Sequence, residues 1–116
     1  MKVSVSDSTR TILDMLNDPG LGGGIRSSAD IFNNYLKSEN KNLQMLIDYS
    51  KRLENGAVFK RLGFLLERFS PDEKTIIEKC KSQLTKGNTK LDPKLGADKL
   101  VTRWKLWIPK NWVKEQ

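Results

Sequence analysis

The stretch AVFKRLGFLLERF, residues 57–69, decides the fold of this chain. Apolar residues recur in it at helical spacing, and two phenylalanines widen the stripe beyond that of a normal surface helix. These apolar residues are Ala57, Val58, Phe59, Leu62, Phe64, Leu65, Leu66 and Phe69. The stretch therefore predicts a central helix. Gly63 inside it costs about 1 kcal/mol relative to alanine, so we expect a neighbouring element to pack against the missing side chain.

Amphipathic patterns on both sides of this stretch predict four further helices. Their expected ranges are about 6–17, 27–38, 43–53 and 70–86. The second and third of these should pack antiparallel to each other. The last has the clearest start, because Ser70 suits the N-cap, Pro71 the first turn and Glu73 the position three residues on.

Two strand patterns lie near the ends of the chain. Val3 and Val5 alternate with serines, and residues 101–108 alternate so that Trp104, Leu106 and Ile108 share one face. The two strands pair most simply with each other. The sequence thus predicts an α+β fold, with about five helices packed on a small antiparallel sheet formed by strands near the N- and C-terminal ends.

Composition excludes several classes of function. The chain has 116 residues, enough for one domain, with no histidine and one cysteine. Without histidine the usual general base and the commonest metal ligand are missing, so we expect no enzyme, no metal and no cofactor. Cys80, at helical spacing beside apolar residues, is expected to be a small buried side chain. Apolar runs do not exceed three residues, which predicts a soluble, cytoplasmic protein without a membrane span.

Positive charge is concentrated in the second half of the chain. The formal net charge is +7, and residues 56–116 hold fourteen basic against seven acidic side chains. A basic face for nucleic acid and a set of scattered solvated lysines both fit this count. In RWKLWIPKNW, residues 103–112, Trp107 and Trp112 are the indoles that could stack on bases, whereas Trp104 is expected in the core.

Gly22-Gly23-Gly24 is the most unusual local feature. Consecutive glycines permit positive φ and close approach of the backbone, and a helix is expected directly after them. The segment has neither a GxGxxG pattern nor a Gly-Lys-Ser or Gly-Lys-Thr ending. We therefore expect a tight structural turn, with nucleotide binding as the less favoured alternative.

An ordered set of motifs resembles a known family. RTILDML at 10–16, GGGIR at 22–26, NGAVFKRLGFLLERF at 55–69, KLDP at 90–93 and RWKLWIP at 103–109 together resemble the C-terminal domain of AbiEi-type antitoxins. These proteins belong to type IV toxin–antitoxin and abortive-infection systems. The resemblance implies that residues 1–116 form one non-catalytic antitoxin domain of a transcriptional regulator. It would oppose a nucleotidyltransferase-like toxin, and direct contact with that toxin is not required.

The family usually places a winged helix-turn-helix domain before this region, and here the resemblance begins at once. Operator DNA binding is therefore expected only together with such an upstream domain. The resemblance also implies that this domain can add a positive surface, for which the expected residues are Lys60, Arg61, Lys90, Lys94, Arg103 and Lys105. This gives an alternative function, an auxiliary DNA-binding module that contacts phosphates. The motif positions Arg10, Asp14, Gly22, Gly23, Gly24 and Arg26 either act directly or shape the fold.

Overall fold

The computed structural model of the chain describes residues 5–39, 41–53 and 56–112. Five α-helices and a small three-stranded sheet make up this described part, which is an α+β fold as expected. The helices are α1 (Val5–Asn17), α2 (Ile25–Leu36), α3 (Leu43–Leu53), α4 (Gly56–Phe69) and α5 (Lys74–Ser82). The strands are β1 (Thr89–Lys90), β2 (Lys99–Val101) and β3 (Leu106–Ile108), and 3₁₀ turns cover Pro19–Gly22 and Lys110–Trp112.

Helix α4 is the centre of the molecule, as its apolar pattern predicts. Every residue from 58 to 66 is buried, and α1 and α5 both pack against it. The prediction for Gly63 is confirmed, since a Cβ at this position would lie 2.7 Å from Cε3 of Trp104. Trp104 is itself fully buried. The absence of a side chain at Gly63 is therefore what lets the indole lie directly on the helix backbone.

Helices α2 and α3 are arranged differently from the prediction. Each packs mainly against α1 rather than on the other, and α3 also contacts α5. Tyr35 connects α2 to α1, because its hydroxyl lies within hydrogen-bond distance, 2.8 Å, of the buried Oγ1 of Thr9. The same hydroxyl accepts a hydrogen bond of 2.8 Å from the Asn42 amide at the start of α3. One buried tyrosine thus links three helices.

The sheet differs from the expected pairing of the two chain ends. It is mixed, with strand order β1-β3-β2, in which β1 pairs parallel and β2 antiparallel with β3. All three described strands come from the C-terminal third of the chain. Val5 opens α1 instead of lying in a strand, and Val3 lies outside the described residues. A short alternating run is a weak signal, and here the amphipathic pattern that follows extends the helix back to Val5.

Residues 101–108 form a hairpin instead of one continuous strand. A turn over residues 102–105 separates β2 from β3, closed by a hydrogen bond of 3.1 Å from the Trp104 amide to the Val101 carbonyl. Lys105 has a φ of 54°, which only a minority of non-glycine residues adopt. The turn directs Trp104 into the core beneath α4, where the sequence places it, although by a different route.

Helix α5 begins one turn later than expected. Ser70 does not cap it, because its amide donates to the Leu66 carbonyl at 2.7 Å and so still belongs to the end of α4. Pro71 and Asp72 form a turn, and Glu73 occupies the N-cap without a side-chain bond to the helix. Glu73 instead pairs with Lys41 at 3.2 Å. None of the described helices combines the length and the apolar composition needed to cross a bilayer.

Candidate functional site

Arg61 lies at the point where the motif stretches meet. Its guanidinium is buried and donates hydrogen bonds to carbonyls from two distant parts of the described chain. Nη1 bonds to the carbonyls of Leu16 at 2.8 Å and Asn17 at 3.0 Å, which are the last carbonyls of α1. Nη2 and Nε bond to Lys90 at 3.0 Å and Leu91 at 3.0 Å. A cation at a helix C-terminus satisfies carbonyls that the helix itself leaves unpaired.

Asp92 joins a third motif to the same place. Its carboxylate is buried, and Oδ2 accepts a hydrogen bond of 2.9 Å from the Ile25 amide at the start of α2. Oδ1 accepts a second bond of 2.9 Å from the Lys94 amide. Burial lowers the pKa of the Arg61 guanidinium, and the negative charges of Asp92 and Asp18 oppose this shift. Desolvation outweighs these two charges, and Arg61 forms no salt bridge with Asp92 within the described residues.

The glycine turn supplies the fourth part of this arrangement. Gly23 has a φ of 88° and Gly24 a φ of 103°, conformations that strongly favour glycine. Gly22 ends the preceding 3₁₀ turn, and the amide of Gly24 donates to the Pro19 carbonyl at 2.9 Å. The helix N-terminus that would attract a phosphate already faces the carboxylate of Asp92. This geometry supports the structural interpretation of the turn. Arg26, in the first turn of α2, is exposed.

We call this arrangement the motif junction and define it by Leu16, Gly24, Ile25, Arg61 and Asp92. The motif junction contains residues from four of the five motif stretches. The fifth stretch is connected to the third by the contact between Trp104 and Gly63. Arg10 and Asp14 belong to the first stretch but lie on the exposed side of α1. The Arg10 guanidinium lies 5.9 Å from the centre of the Tyr49 ring rather than pairing with Asp14.

The six residues expected on a positive surface do not share one environment. Arg61 is buried in the motif junction and is not accessible to a phosphate, which corrects the expectation for this residue. Lys60 is also buried, and its Nζ donates to the Gly87 carbonyl at 2.8 Å and to Oγ1 of Thr89 at 3.2 Å. Burial and the positive charge of Lys105 lower the pKa of Lys60. Both side chains are therefore used to hold the segment around β1.

The other four expected residues reach the surface to different degrees. Lys90 and Lys94 are exposed. Arg103 is also exposed, but its Nη2 lies 2.7 Å from Oε2 of Glu67. Lys105 is half-buried, and its Nζ reaches the Thr85 carbonyl at 3.4 Å. Lys90 and Lys94 are therefore the two that combine exposure with the absence of an ion pair within the described residues.

The outer face of the sheet brings a lysine and an indole together. Lys90 of β1 and Leu100 of β2 both lie opposite Trp107 of β3 in the strand register. Paired residues on neighbouring strands project to the same face, and the neighbours of Trp107 in β3, Leu106 and Ile108, are buried on the other. We call Lys90, Leu100 and Trp107 the outer face.

Positive charge surrounds the outer face. Residues 85–112 contain seven basic and two acidic side chains. One acid, Asp92, is buried, and the other, Asp98, accepts a hydrogen bond of 2.8 Å from the Lys110 amide. Both carboxylates bind backbone amides, and neither lies in an ion pair with a lysine within the described residues. This segment therefore presents a positive surface beside a half-buried indole.

The aromatic prediction is correct for only one of the two tryptophans that it placed outside. Trp107 is half-buried on the outer face, but Trp112 is only 9% exposed. The Trp112 ring packs 6.2 Å from Phe64, and the Arg68 guanidinium lies 4.7 Å from its centre. Cys80 is fully buried as expected, and burial raises the pKa of its thiol to about 12.

Comparison with known proteins gives no assignment. No protein-family model matches the chain, and no curated protein or solved structure is significantly similar to it. Function is therefore inferred from the resemblance of the motifs and from the geometry of the motif junction and the outer face.

Proposed function

We propose that this chain is the antitoxin domain of an AbiEi-like type IV toxin–antitoxin regulator, a binding module that counteracts a nucleotidyltransferase-like toxin in the cytoplasm. The observation that supports this proposal is the convergence of the motif stretches. Arg61, Asp92 and Gly24 come from three different motifs and meet in one junction. The residues that carry the resemblance are therefore in contact with one another's segments in the fold.

The motif junction also suggests how the motifs contribute. Its charged groups bind backbone atoms of this chain, so the motifs maintain the fold rather than touch a substrate. In this proposal the activity belongs to the surface that the fold presents. Operator binding by the whole regulator would require a winged helix-turn-helix domain, as the resemblance implies.

Growth rescue tests the antitoxin proposal. The chain is co-expressed with the nucleotidyltransferase-like toxin encoded beside its own gene, and growth is compared with that of cells expressing the toxin alone. We expect at least partial relief of toxicity, and we expect Arg61→Met, which disrupts the motif junction, to give less relief. A folded, abundant chain that gives no relief would refute the proposal. A stable complex with the toxin is not required.

The outer face favours a second candidate function, an auxiliary nucleic-acid-binding module. Lys90 and Lys94 are exposed for phosphate contacts, and Trp107 presents part of an indole for stacking on a base. Binding through phosphates weakens as salt rises, with a slope of log K against log salt of about −0.9 for each duplex phosphate neutralised. Stacking on an aromatic side chain contributes about 1–3 kcal/mol per base.

Charge reversal on the outer face tests this second function. We expect Lys90→Glu to weaken binding to duplex DNA and to flatten the salt slope, because it removes one phosphate contact. Lys37→Glu is the matched control, since Lys37 is an exposed lysine at the opposite end of α2 from the motif junction. Equal losses in the two variants would indicate a diffuse charge effect, and no retardation at tens of micromolar protein in low salt would exclude the function.

A further inference from the structure

A groove lies between the helices and the β2–β3 hairpin, along the edge of β2. Its volume is about 950 Å³, within the upper range of ligand-binding clefts. Phe64, Ile77 and Ile108 contribute apolar lining, and five consecutive residues, 99–103, form one wall. Successive side chains in a strand point to opposite faces. A continuous run of lining residues therefore means that the backbone of β2 itself borders the groove.

Strand β2 is an edge strand, and its hydrogen-bonding pattern shows which backbone groups face outward. The Trp107 carbonyl accepts a bond of 2.8 Å from the Leu91 amide, so the polar backbone groups of Trp107 point to the β1 side. The Ile108 carbonyl points the other way and accepts from the Asp98 amide at 2.9 Å. Leu100 lies opposite Trp107 and is therefore a non-hydrogen-bonded pair with it. The N–H and C=O of Leu100 thus point to the open edge.

The charges around the groove are mostly positive. Its described lining includes four cations and two carboxylates: Arg68, Lys74, Lys99 and Arg103 against Glu67 and Glu78. Glu67 is engaged by Arg103 and also accepts a bond of 2.7 Å from Nε1 of Trp104. Lys74 and Lys99 are exposed and lie in no ion pair within the described residues.

This charge distribution selects between two kinds of strand that could add to β2. A second copy of the chain, paired edge to edge through Leu100, would set the two Lys99 residues diagonally across the strands, about 7–8 Å apart, where their like charges oppose the pairing only weakly. Lysine on a short edge strand is a known means of preventing such self-pairing. A segment that carries acidic side chains would instead be attracted to Lys74 and Lys99.

We propose that the groove binds an extended acidic segment of a partner protein, which adds as a strand to β2. The Leu100 amide donates to the segment and the Leu100 carbonyl accepts from it. Alternate apolar side chains of the segment enter the groove, and its carboxylates pair with Lys74 and Lys99. Main-chain bonds supply affinity in this mode of recognition, and pockets for alternate side chains supply specificity. The inference is independent of the antitoxin function.

Peptide selection on the full chain tests the inference. Random dodecapeptides displayed on phage are selected against the protein, and the enriched sequences are synthesised. We expect acidic sequences with alternating apolar residues. Leu100→Pro should weaken their binding at least about tenfold, because it removes the outward N–H and places the proline ring in the path of the added strand. Leu100→Ala, which keeps the N–H, should bind within about threefold of wild type, a change smaller than the loss of one hydrogen bond.

Two further measurements keep the test decisive. Proline is tolerated on an edge strand where its N–H would face solvent, so Leu100→Pro should fold, which circular dichroism checks. If it does not fold, peptides N-methylated at alternate residues replace it, since they lose their main-chain donors and should no longer bind the wild-type chain. Lys74→Glu combined with Lys99→Glu should weaken the acidic peptides at least about tenfold, the equivalent of one favourable charge-assisted contact.

Three results would overturn the inference. The first is the absence of any enriched peptide. The second is peptide binding that is unchanged by Leu100→Pro in the protein or by N-methylation of the peptide, because docking would then not use the edge of β2. The third is a concentration-dependent dimer of the wild-type chain that Leu100→Pro dissociates in sedimentation experiments, because the occupant would then be a second copy.

Discussion

Replacing Arg61 by methionine tests the motif junction. The change keeps a long flexible side chain of similar length but removes the guanidinium that serves four backbone carbonyls in the described structure. Leu16 and Leu91 are almost completely buried, so water cannot replace the lost donor at their carbonyls. Asn17 and Lys90 are exposed residues whose carbonyls can bind water instead.

The expected loss of stability follows from these four carbonyls. A buried carbonyl left without a donor costs about 1–3 kcal/mol, so the carbonyls of Leu16 and Leu91 together account for about 2–6 kcal/mol. Asp92 also loses a nearby positive charge, but Arg61 and Asp92 form no salt bridge within the described residues, so this loss costs less than the roughly 3–5 kcal/mol of a broken buried ion pair. These contributions overlap, and we expect a total of about 3–5 kcal/mol. That is a large part of the 5–15 kcal/mol typical of a domain.

Urea unfolding followed by circular dichroism measures this loss. With a slope of about 2 kcal/mol per molar, a loss of 3–5 kcal/mol lowers the midpoint by about 2 M. Arg26→Met is the matched control, because Arg26 is exposed and its replacement should change stability by less than about 0.5 kcal/mol. The urea midpoint of Arg61→Lys should lie between those of Arg61→Met and Arg26→Met, since one ammonium cannot form all the hydrogen bonds of the planar guanidinium.

An unchanged midpoint for Arg61→Met would refute this reasoning. If the same variant also lost affinity for DNA, Arg61 would be a phosphate contact, as the family resemblance implies. A lower midpoint with an unchanged slope supports the structural role, because the slope reports the surface exposed on unfolding.

Three further predictions concern the core and the junction. Gly63→Ala should lower the melting temperature by about 5–15 °C, because the added Cβ collides with Trp104, whereas alanine at a solvent-exposed helical glycine would raise it. Burial raises the pKa of Cys80 from 9.0 to about 12, so the unfolded chain loses this proton first. Wild type should therefore lose stability relative to Cys80→Ala between pH 9 and 12, by at most about 1.4 kcal/mol per pH unit, and parallel urea midpoints for the two proteins would contradict this. Asp92→Asn should cost about 1–3 kcal/mol in urea unfolding, because an amide accepts less strongly from Ile25 and brings no charge, and an unchanged midpoint would show that the carboxylate is dispensable.

The helices were largely predictable because their signals are local. The third helix has the predicted bounds, and the central one begins and ends within one residue of the predicted stretch. The packing space beside Gly63 was also predictable, since glycine within a helix is costly unless something replaces the missing side chain. The helices against which each helix packs were not predictable, because the same apolar stripe can face any of several neighbours.

The burial of Arg61 could have been predicted from the spacing of apolar residues in α4. Arg61 follows Val58 by three positions and precedes Leu65 by four, and both of these are fully buried. Residues at these spacings share a helix face, so the pattern of α4 places Arg61 toward the core. The family resemblance instead placed Arg61 on a positive surface.

The remaining features depend on contacts between distant parts of the chain. Asp92 and Ile25 are 67 residues apart, and nothing in either local sequence indicates that they meet. The hairpin turn before Lys105 carries neither glycine nor asparagine, the residues that usually mark such a turn. The groove beside β2 arises only when that turn brings the edge strand close to α4 and α5.

A double-mutant cycle between Arg61 and Asp92 tests most directly the claim that the motif stretches form one energetic unit. The free energy of unfolding is measured for wild type, Arg61→Met, Asp92→Asn and the double variant. If the two residues belong to one junction, the double variant loses less than the sum of the single losses, by about 0.5–3 kcal/mol. Losses that add within about 0.3–0.5 kcal/mol, the behaviour of independent sites, would contradict the account.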